Sequence, residues 1–163
     1  VVADDGTLTI LLNLGNGTFA TGMKQPKSMA TTNLVPADLN GDHRPDIVSL
    51  SGGQPSWIQV FMNDGTGQLN LPTNLNVATY YSDIEAVDVD GNGHFDLVAA
   101  NASATTLAVF RSNGDGTLAS PVDYIMHRGL SRIAPADLDG DGRIDFLAAA
   151  SDVMLVVPHQ CLP

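Results

Sequence analysis

The stretch Asp137-Leu-Asp-Gly-Asp-Gly-Arg-Ile-Asp145 has two related copies earlier in this 163-residue chain, and the three together decide the fold. The earlier copies are Asp38-Leu-Asn-Gly-Asp-His-Arg-Pro-Asp46 and Asp88-Val-Asp-Gly-Asn-Gly-His-Phe-Asp96. Their first aspartates stand at positions 38, 88 and 137, which gives spacings of 50 and 49 residues. An internal period of about 40 to 50 residues is typical of propeller or solenoid architecture.

Each copy places an oxygen-bearing side chain at loop positions 1, 3, 5 and 9. Calcium takes about 6 to 8 oxygen ligands from carboxylates, amides, backbone carbonyls and water, so this pattern predicts a calcium loop. A backbone carbonyl at loop position 7 is expected to add a further ligand. The predicted calcium ligands of the three sites are Asp38, Asn40, Asp42, Arg44 and Asp46; Asp88, Asp90, Asn92, His94 and Asp96; and Asp137, Asp139, Asp141, Arg143 and Asp145.

Other interpretations of the loop fit less well. An Asn/Asp/Gly-rich turn uses the same residue types, but a plain turn does not require the same four oxygen positions three times. An EF-hand needs glutamate at loop position 12, where this chain has Ser49, Ala99 and Ala148. Magnesium prefers a smaller octahedral site that keeps its waters, and zinc would use nearby Cys or recurring His ligands.

The residues around each loop predict four antiparallel strands per repeat. One apolar segment (strand A) enters the loop and another (strand B) leaves it. A third (strand C) ends in an Asn/Asp-Gly turn, as in Ile10 to Phe19, Val60 to Leu69 and Val109 to Leu118, which leads to strand D. We therefore predict an all-β fold of about three to four β-propeller blades, in one partial domain spanning residues 1–163. The predicted units are roughly 1–27, 28–77, 78–126 and 127–163.

These loops and turns resemble the FG-GAP/VCBS repeats of integrin alpha chains and many secreted bacterial proteins. The resemblance implies a β-propeller, usually of seven blades, with calcium in the loops between strands A and B. His43 departs from the usual glycine at loop position 6. Because Asn replaces one Asp in each of the first two loops, we expect those two sites to bind calcium more weakly than the third.

The chain begins with a segment that resembles strand B and finishes with one that resembles strand C, which predicts fourteen strands. We expect the chain to be a fragment of a longer propeller, or several copies to assemble so that exposed sheet edges are covered. The single cysteine, Cys161, excludes a disulfide within one chain. No membrane-spanning segment is visible in the sequence, and we expect no membrane insertion.

The net charge of −11 is concentrated in the loops, which contain ten of the 18 acidic residues. This balance argues against nucleic-acid binding, which needs basic patches. Calcium loops of moderate affinity suit the millimolar calcium outside cells, so a secreted or cell-surface protein is expected.

Recognition of a glycan or an extracellular protein is the function that this sequence favours. Loops at the strand ends opposite the calcium loops differ between units, as binding loops do. They carry Trp57, Tyr80, Tyr81 and Arg128, although Trp57 and the tyrosines could instead pack between blades.

The sequence favours two further functions less strongly. One is a structural scaffold that assembles from several copies into a full propeller. The other is a glycoside hydrolase or lyase. Glycoside hydrolysis needs two carboxylates, and the only notable candidate pair in this sequence is Asp83 and Glu85. We interpret them as a solvated loop pair and expect no enzyme activity. His43 and His94 are expected to face solvent.

Overall fold

The computed structural model describes residues 2–4, 7–26, 30–52, 56–66, 68–77 and 79–158. In this part of the chain it contains fourteen β-strands and no helix, which confirms the all-β prediction. The strands are β1 (Val2–Asp4), β2 (Thr7–Asn13), β3 (Phe19–Pro26), β4 (Thr31–Ala37), β5 (Asp46–Ser51), β6 (Ser56–Phe61), β7 (Thr73–Val77), β8 (Tyr81–Val87), β9 (Asp96–Asn101), β10 (Thr106–Phe110), β11 (Val122–Ile125), β12 (Leu130–Ala136), β13 (Asp145–Ala150) and β14 (Met154–Val157).

The strands form four antiparallel sheets that follow the repeat. Their orders are β1-β2-β3, β4-β5-β6-β7, β8-β9-β10-β11 and β12-β13-β14, and we call them blades 1 to 4. Strands β4, β8 and β12 correspond to the predicted strand A, and β5, β9 and β13 to strand B. Each aspartate-rich loop therefore connects strand A to strand B, as predicted.

Strands β5 and β9 are buried along their whole length, because each has a neighbouring blade on both of its faces. A strand covered on both faces needs a continuous apolar run and not an alternation of apolar and polar residues. This explains the apolar run Leu97-Val-Ala-Ala100. It also explains the nearly apolar run Ile47-Val-Ser-Leu50, in which a hydrogen bond to the Thr31 hydroxyl (3.0 Å) satisfies the buried Ser49 hydroxyl.

Hydrophobic cores lie between successive blades. Blades 2 and 3 share a core in which the Tyr81 ring packs edge-to-face against Phe110, with ring centres 5.8 Å apart. Tyr81 is buried, so its predicted place in a binding loop is wrong and the alternative of packing between blades is confirmed for it. Burial raises its phenol pKa to about 12, with a smaller contribution from the charge of Asp123.

A β-bulge interrupts the pairing of strands A and B near the start of each strand A, and a hydroxyl side chain lies at this position. The pairing register shifts between residues 31 and 33, 81 and 83, and 130 and 132. The hydroxyl between each pair donates a hydrogen bond to a strand B carbonyl: Thr32 to Leu50 (3.2 Å), Ser82 to Ala100 (3.2 Å) and Ser131 to Ala149 (3.1 Å). The same hydrogen bond therefore stabilises the bulge in blades 2, 3 and 4, which are the blades with a strand A.

The three strands A are joined by one buried carboxylate. Asp83 of β8 is 3 % exposed, and it accepts a hydrogen bond from Asn33 Nδ2 of β4 (2.7 Å). It also accepts hydrogen bonds from Arg132 NH1 (3.0 Å) and Ile133 N–H (2.9 Å) of β12. Asn33, Asp83 and Arg132 stand at the same register position of their repeats, five residues before the first loop aspartate.

This contact corrects the prediction that Asp83 and Glu85 form a solvated loop pair. Both residues lie in β8, where Asp83 is buried and Glu85 is half-buried. Burial and the nearby Asp83 charge raise the pKa of Glu85, while Arg132 opposes that change. Asp83 therefore links three blades through hydrogen bonds. The repeat pattern of the sequence did not indicate this role.

Candidate metal centre

The backbone of each loop curls through glycines with positive φ angles. Loop position 4 is Gly41, Gly91 or Gly140, with φ between 73° and 80°. Position 6 is Gly93 (φ 88°) or Gly142 (φ 83°), and in the first loop it is His43 with φ 64°. The first loop thus keeps the same turn with a residue for which left-handed backbone is less favourable.

The aspartate at loop position 1 organises this turn by accepting hydrogen bonds from backbone amides. In the first loop, Asp38 accepts from Gly41 N–H (2.8 Å) and His43 N–H (2.7 Å). Asp88 and Asp137 make the corresponding contacts, Asp88 with Gly91 and Gly93 (both 2.8 Å) and Asp137 with Gly140 (2.7 Å) and Gly142 (3.0 Å). Curling brings the later side chains of each loop back towards this carboxylate.

The aspartate at loop position 9 is buried and ties the loop to the sheet. Asp46 accepts hydrogen bonds from Leu39 N–H (3.1 Å) and Asn63 N–H (2.8 Å). Asp96 does the same with Val89 N–H (3.1 Å) and Ser112 N–H (2.8 Å), and Asp145 accepts from Leu138 N–H (3.1 Å).

Burial raises the pKa values of two of these position-9 carboxyls. For Asp46 the charges of Asp42 and Asp38 add to the effect of burial, and the amide hydrogen bonds oppose it. Burial also raises the pKa of Asp96, and the charge of Asp90 adds to this effect. Hydrogen bonds from the backbone amides and the charge of Arg111 oppose it. A cation beside these carboxylates would relieve both the burial cost and the repulsion.

Positions 1, 3 and 9 come together in the second and third loops. One carboxylate oxygen each from Asp88, Asp90 and Asp96 lies within 4.8 Å of the others, and the same holds for Asp137, Asp139 and Asp145. In the first loop, Asn40 replaces the carboxylate at position 3, which leaves Asp38 and Asp46 at the corresponding positions.

Asp141, at position 5 of the third loop, is not a member of that loop's carboxylate cluster. In all three loops the position-5 side chain accepts a hydrogen bond from the position-7 amide. Those contacts are Asp42 with Arg44 (2.9 Å), Asn92 with His94 (2.8 Å) and Asp141 with Arg143 (2.9 Å). The predicted role of the position-7 carbonyls of Arg44, His94 and Arg143 as ligands stays a prediction.

Arginine side chains also contact the loop carboxylates. Arg44 pairs with Asp42 (2.7 Å), and Arg143 Nε lies 3.5 Å from Asp141, so both contacts fall on position 5. Partial desolvation of Asp42 is outweighed by hydrogen bonds from Asn40 and Arg44, so its pKa is lowered. In the second loop Arg111 pairs with Asp90, which is itself a member of the carboxylate cluster. A metal ion at the second loop would therefore share Asp90 with a guanidinium.

The two loop histidines differ in their surroundings. The His43 side chain is 97 % exposed, as expected. His94 is half-buried between Gly41 of the first loop and Gly114 of blade 3, and its Nδ1 atom is buried with no hydrogen-bond partner. The expectation that His94 faces solvent is therefore wrong, because its ring lies against Gly41 of blade 2 and Gly114 of its own blade.

The first loop is also attached directly to the next blade. The Leu39 carbonyl accepts hydrogen bonds from Gly116 N–H (3.0 Å) and Ser112 Oγ (3.3 Å), both in blade 3. The Leu39 side chain is fully buried in the core between blades 2 and 3. The order of the loop and the packing of the blades are thus coupled.

The donor atoms of the loops suit a hard cation. The clustered atoms are carboxylate oxygens, with neither sulfur nor imidazole ligands among them, and calcium favours such sets. The residues fit the predicted ion best in the second and third loops, where three carboxylates converge.

The comparison with protein families agrees with the repeat seen in the structure. The family model for FG-GAP-like repeats matches residues 1–49, 38–99 and 88–148. The chain belongs to the FG-GAP repeat family. Each of the first two FG-GAP matches ends within a strand B, so successive matches overlap across one aspartate-rich loop.

In blades 2 to 4 the aspartate-rich loop joins strand A to strand B, at the end of the sheet opposite the connection between strands B and C. No curated protein matched the chain in a separate comparison. Within the described residues, no helix has the length and apolar character needed to span a bilayer.

Proposed function

We propose that this chain is a calcium-stabilised, extracellular β-propeller module that recognises a glycan or a protein. The observation that carries the calcium part is the convergence of three carboxylates in each of two repeated loops. FG-GAP repeats are typical of extracellular proteins, and millimolar calcium there is sufficient to fill sites of moderate affinity. The proposed ions act as scaffold elements, since the loops that hold them also contact neighbouring blades.

The loops are proposed to differ in affinity. The third has three clustered carboxylates, and its arginine contact falls outside that cluster. The second has three, but Arg111 pairs with one of them. The first has Asn40 at position 3. Fewer uncompensated carboxylates attract a divalent ion less strongly, so calcium affinity is expected to fall from the third loop to the second and then to the first.

Removing calcium is expected to lower the melting temperature by several degrees. At calcium tenfold above the dissociation constant, each site adds about 1.4 kcal/mol. For a chain of this size, each kcal/mol corresponds to about 2–4 °C. Differential scanning fluorimetry with EDTA, followed by excess calcium or magnesium, measures the change, and calcium should restore stability better.

The matched variants for this measurement are Asp139→Asn and Asp152→Asn. Asp139→Asn removes a carboxylate from the cluster of the third loop. Its rise in melting temperature with calcium should shrink more than that of a matching substitution in either other loop. Asp152→Asn changes an exposed aspartate outside the loops and should keep the full response. Equal responses in the two variants, or equal rescue by magnesium, would contradict the proposal.

Recognition is proposed to use the end of the sheets opposite the calcium loops. There, Ser56 N–H donates to the Thr79 carbonyl (3.3 Å) and Tyr81 N–H donates to Ser56 Oγ (3.2 Å). Trp57 and Tyr80, next to these contacts, are each partly exposed. Partly exposed aromatic side chains beside a rigid scaffold can contact a ligand. Residues of this type often contribute most of the binding energy of an interface.

A glycan array probed with the wild-type chain in calcium tests this part of the proposal. Trp57→Ala is expected to reduce the signal of a bound glycan at least about tenfold, the loss expected for an anchor worth more than about 1.4 kcal/mol. Leu71→Ala, which changes an 83 % exposed residue elsewhere in blade 2, should leave it unchanged. Equal binding by wild type and Trp57→Ala would exclude Trp57 as an anchor.

We propose binding and not catalysis as the activity of this chain. The carboxylate pair that the sequence offered for glycoside hydrolysis includes Asp83, whose two oxygens already accept hydrogen bonds from neighbouring blades. A carboxylate committed to structure in this way is poorly suited to the two-carboxylate mechanism of glycosidases.

A further inference from the structure

One residue of blade 3, Ser112, contacts both the first and the second aspartate-rich loop. Its backbone N–H donates a hydrogen bond to Asp96 Oδ1 (2.8 Å), and Asp96 belongs to the carboxylate cluster of the second loop. Its hydroxyl donates to the carbonyl of Leu39 in the first loop (3.3 Å). The Leu39 N–H in turn donates to Asp46 Oδ2 (3.1 Å). Ser112 and Leu39 therefore connect the position-9 carboxylates of the two loops.

The side chain of Ser112 makes a contact between blades where its counterpart in blade 2 acts within its own blade. Asn63 is this counterpart, since each of the two residues forms the β-bridge that closes the Asn/Asp-Gly turn. Asn63 accepts a hydrogen bond from Gly65 N–H (3.0 Å) and donates one to the Pro45 carbonyl (3.1 Å). Ser112 Oγ accepts the corresponding hydrogen bond from Gly114 N–H (3.1 Å). Because a hydroxyl is both acceptor and donor, Ser112 can also donate to the first loop.

The His94 ring makes a second contact between the two loops. It belongs to position 7 of the second loop and lies against Gly41, at position 4 of the first loop. Gly41 N–H donates to Asp38 Oδ1 (2.8 Å), so the ring packs on the turn that gathers the oxygen atoms of the first loop. Between the second and third loops, the same two positions are Gly91 and Arg143, and they line a cavity of about 210 Å³. At these positions the first and second loops are therefore packed more closely than the second and third.

We propose that the first and second loops bind calcium as a coupled pair, and that Ser112 positions the first loop for its ion. This inference rests on the proposed calcium binding. Asp96, when it ligates an ion, fixes the Ser112 N–H, and the Ser112 hydroxyl then holds the Leu39 carbonyl. Leu39 stands between the predicted ligands Asp38 and Asn40. Because the second loop has more clustered carboxylates, it fills first and lowers the conformational cost of filling the first loop.

The charges of the two sites alone would give a coupling of the opposite sign. Two bound calcium ions repel each other, so an ion in the second loop would weaken binding in the first. In Asp90→Ala the second loop keeps two clustered carboxylates. That loop, when empty, is more negative than the filled loop of the wild type, so charge alone would strengthen calcium binding in the first loop. The proposed coupling through hydrogen bonds and packing predicts that this variant weakens it.

A calcium titration of the isotope-labelled chain by two-dimensional NMR measures each loop separately. The amides of Gly41, Gly91 and Gly140 report on the three loops, because each donates to the position-1 aspartate of its own loop. In the wild type, Gly91 is expected to respond at lower calcium than Gly41. Asp90→Ala should raise the calcium concentration needed at Gly41 about fivefold or more, the lower end of typical couplings between sites. The matched control Asp139→Ala, at the same position of the third loop, should leave Gly41 unchanged.

Ser112→Ala tests the residue that carries the coupling, since it removes the hydroxyl and keeps the N–H on Asp96. It should raise the calcium concentration needed at Gly41 about fivefold. The responses of Gly91 and Gly140 should not change, which also shows that the variant is folded. Adding Asp90→Ala to Ser112→Ala should cause little further change at Gly41, because both substitutions remove the same assistance from the second loop.

The outcomes separate the coupling from the proposed calcium binding itself. If all three loops respond to calcium but Asp90→Ala leaves the Gly41 response unchanged or moves it to lower calcium, the coupling is wrong and calcium binding stands. Effects of Ser112→Ala and Asp90→Ala that add in full at Gly41 would also overturn the role of Ser112. If none of the three glycines responds to calcium, the proposed calcium binding fails, and the coupling fails with it.

Discussion

Replacing Asp96 by alanine is expected to destabilise the chain by about 2–4 kcal/mol even in EDTA, where no calcium contributes. The carboxylate satisfies the amides of Val89 and Ser112, and both residues are buried. Alanine would leave these two donors without partners in the interior, and each unsatisfied buried donor costs about 1–3 kcal/mol. Urea unfolding monitored by circular dichroism gives the free energy.

Asp90→Ala is the matched control, since Asp90 belongs to the same carboxylate cluster but lies nearer the surface. In EDTA its loss should cost less than about 1 kcal/mol, because it breaks a partly exposed ion pair with Arg111. In calcium both variants should lose the ion's contribution at this loop. If the two variants were equally stable in EDTA, Asp96 would have no structural role apart from the metal.

Replacing Asp83 by alanine is the second large expected effect, because it should lower the free energy of unfolding by about 3 kcal/mol. This variant removes the acceptor for Ile133 N–H, which lies in the buried core between blades 3 and 4, and for the Asn33 side chain. The charge of Arg132 stays solvated because that side chain is 67 % exposed, so the cost comes mainly from the lost hydrogen bonds. Denaturant unfolding of the variant and the wild type in the same calcium concentration measures the difference.

Asp152→Ala controls for the loss of a surface ion pair. Asp152 pairs with Arg128 at 2.8 Å, but both side chains are at least half exposed, and such pairs contribute about 0–1 kcal/mol. Arg132→Ala should also cost less than Asp83→Ala, because the hydrogen bonds of Asp83 to Asn33 and Ile133 remain. If Asp83→Ala lowered the free energy of unfolding no more than Asp152→Ala does, the packing of the three strands A would not depend on this carboxylate.

Local features were predictable from the sequence because the residues themselves impose them. Glycines at loop positions 4 and 6 permit the curled backbone, and Asx residues organise their own turns. Asp64 and Asp115 lie in the Asn/Asp-Gly turns that the sequence predicts after strand C, and each accepts hydrogen bonds from the hydroxyl and the backbone amide of the threonine two residues later. Those hydrogen bonds lower the pKa of both carboxyls.

The features that the sequence did not reveal depend on neighbouring blades. Asp83 looked like an exposed acid because its partners lie about 50 residues away in either direction. His94 looked solvent-facing because its own loop is polar, yet a glycine of blade 2 covers it. The hydroxyl before each of Asn33, Asp83 and Arg132 does recur in the sequence, and this repeat could have found the bulge.

The sequence by itself determined the repeat, the strand order within each blade and the positions of the aspartate-rich loops, because turn chemistry and hydrophobic pattern act over a few residues. Only the tertiary structure decided which acid joins the three strands A and which loop histidine another blade covers. Those outcomes depend on contacts between segments about 50 residues apart, and the local pattern that forms each strand carries no record of which residue will lie opposite it.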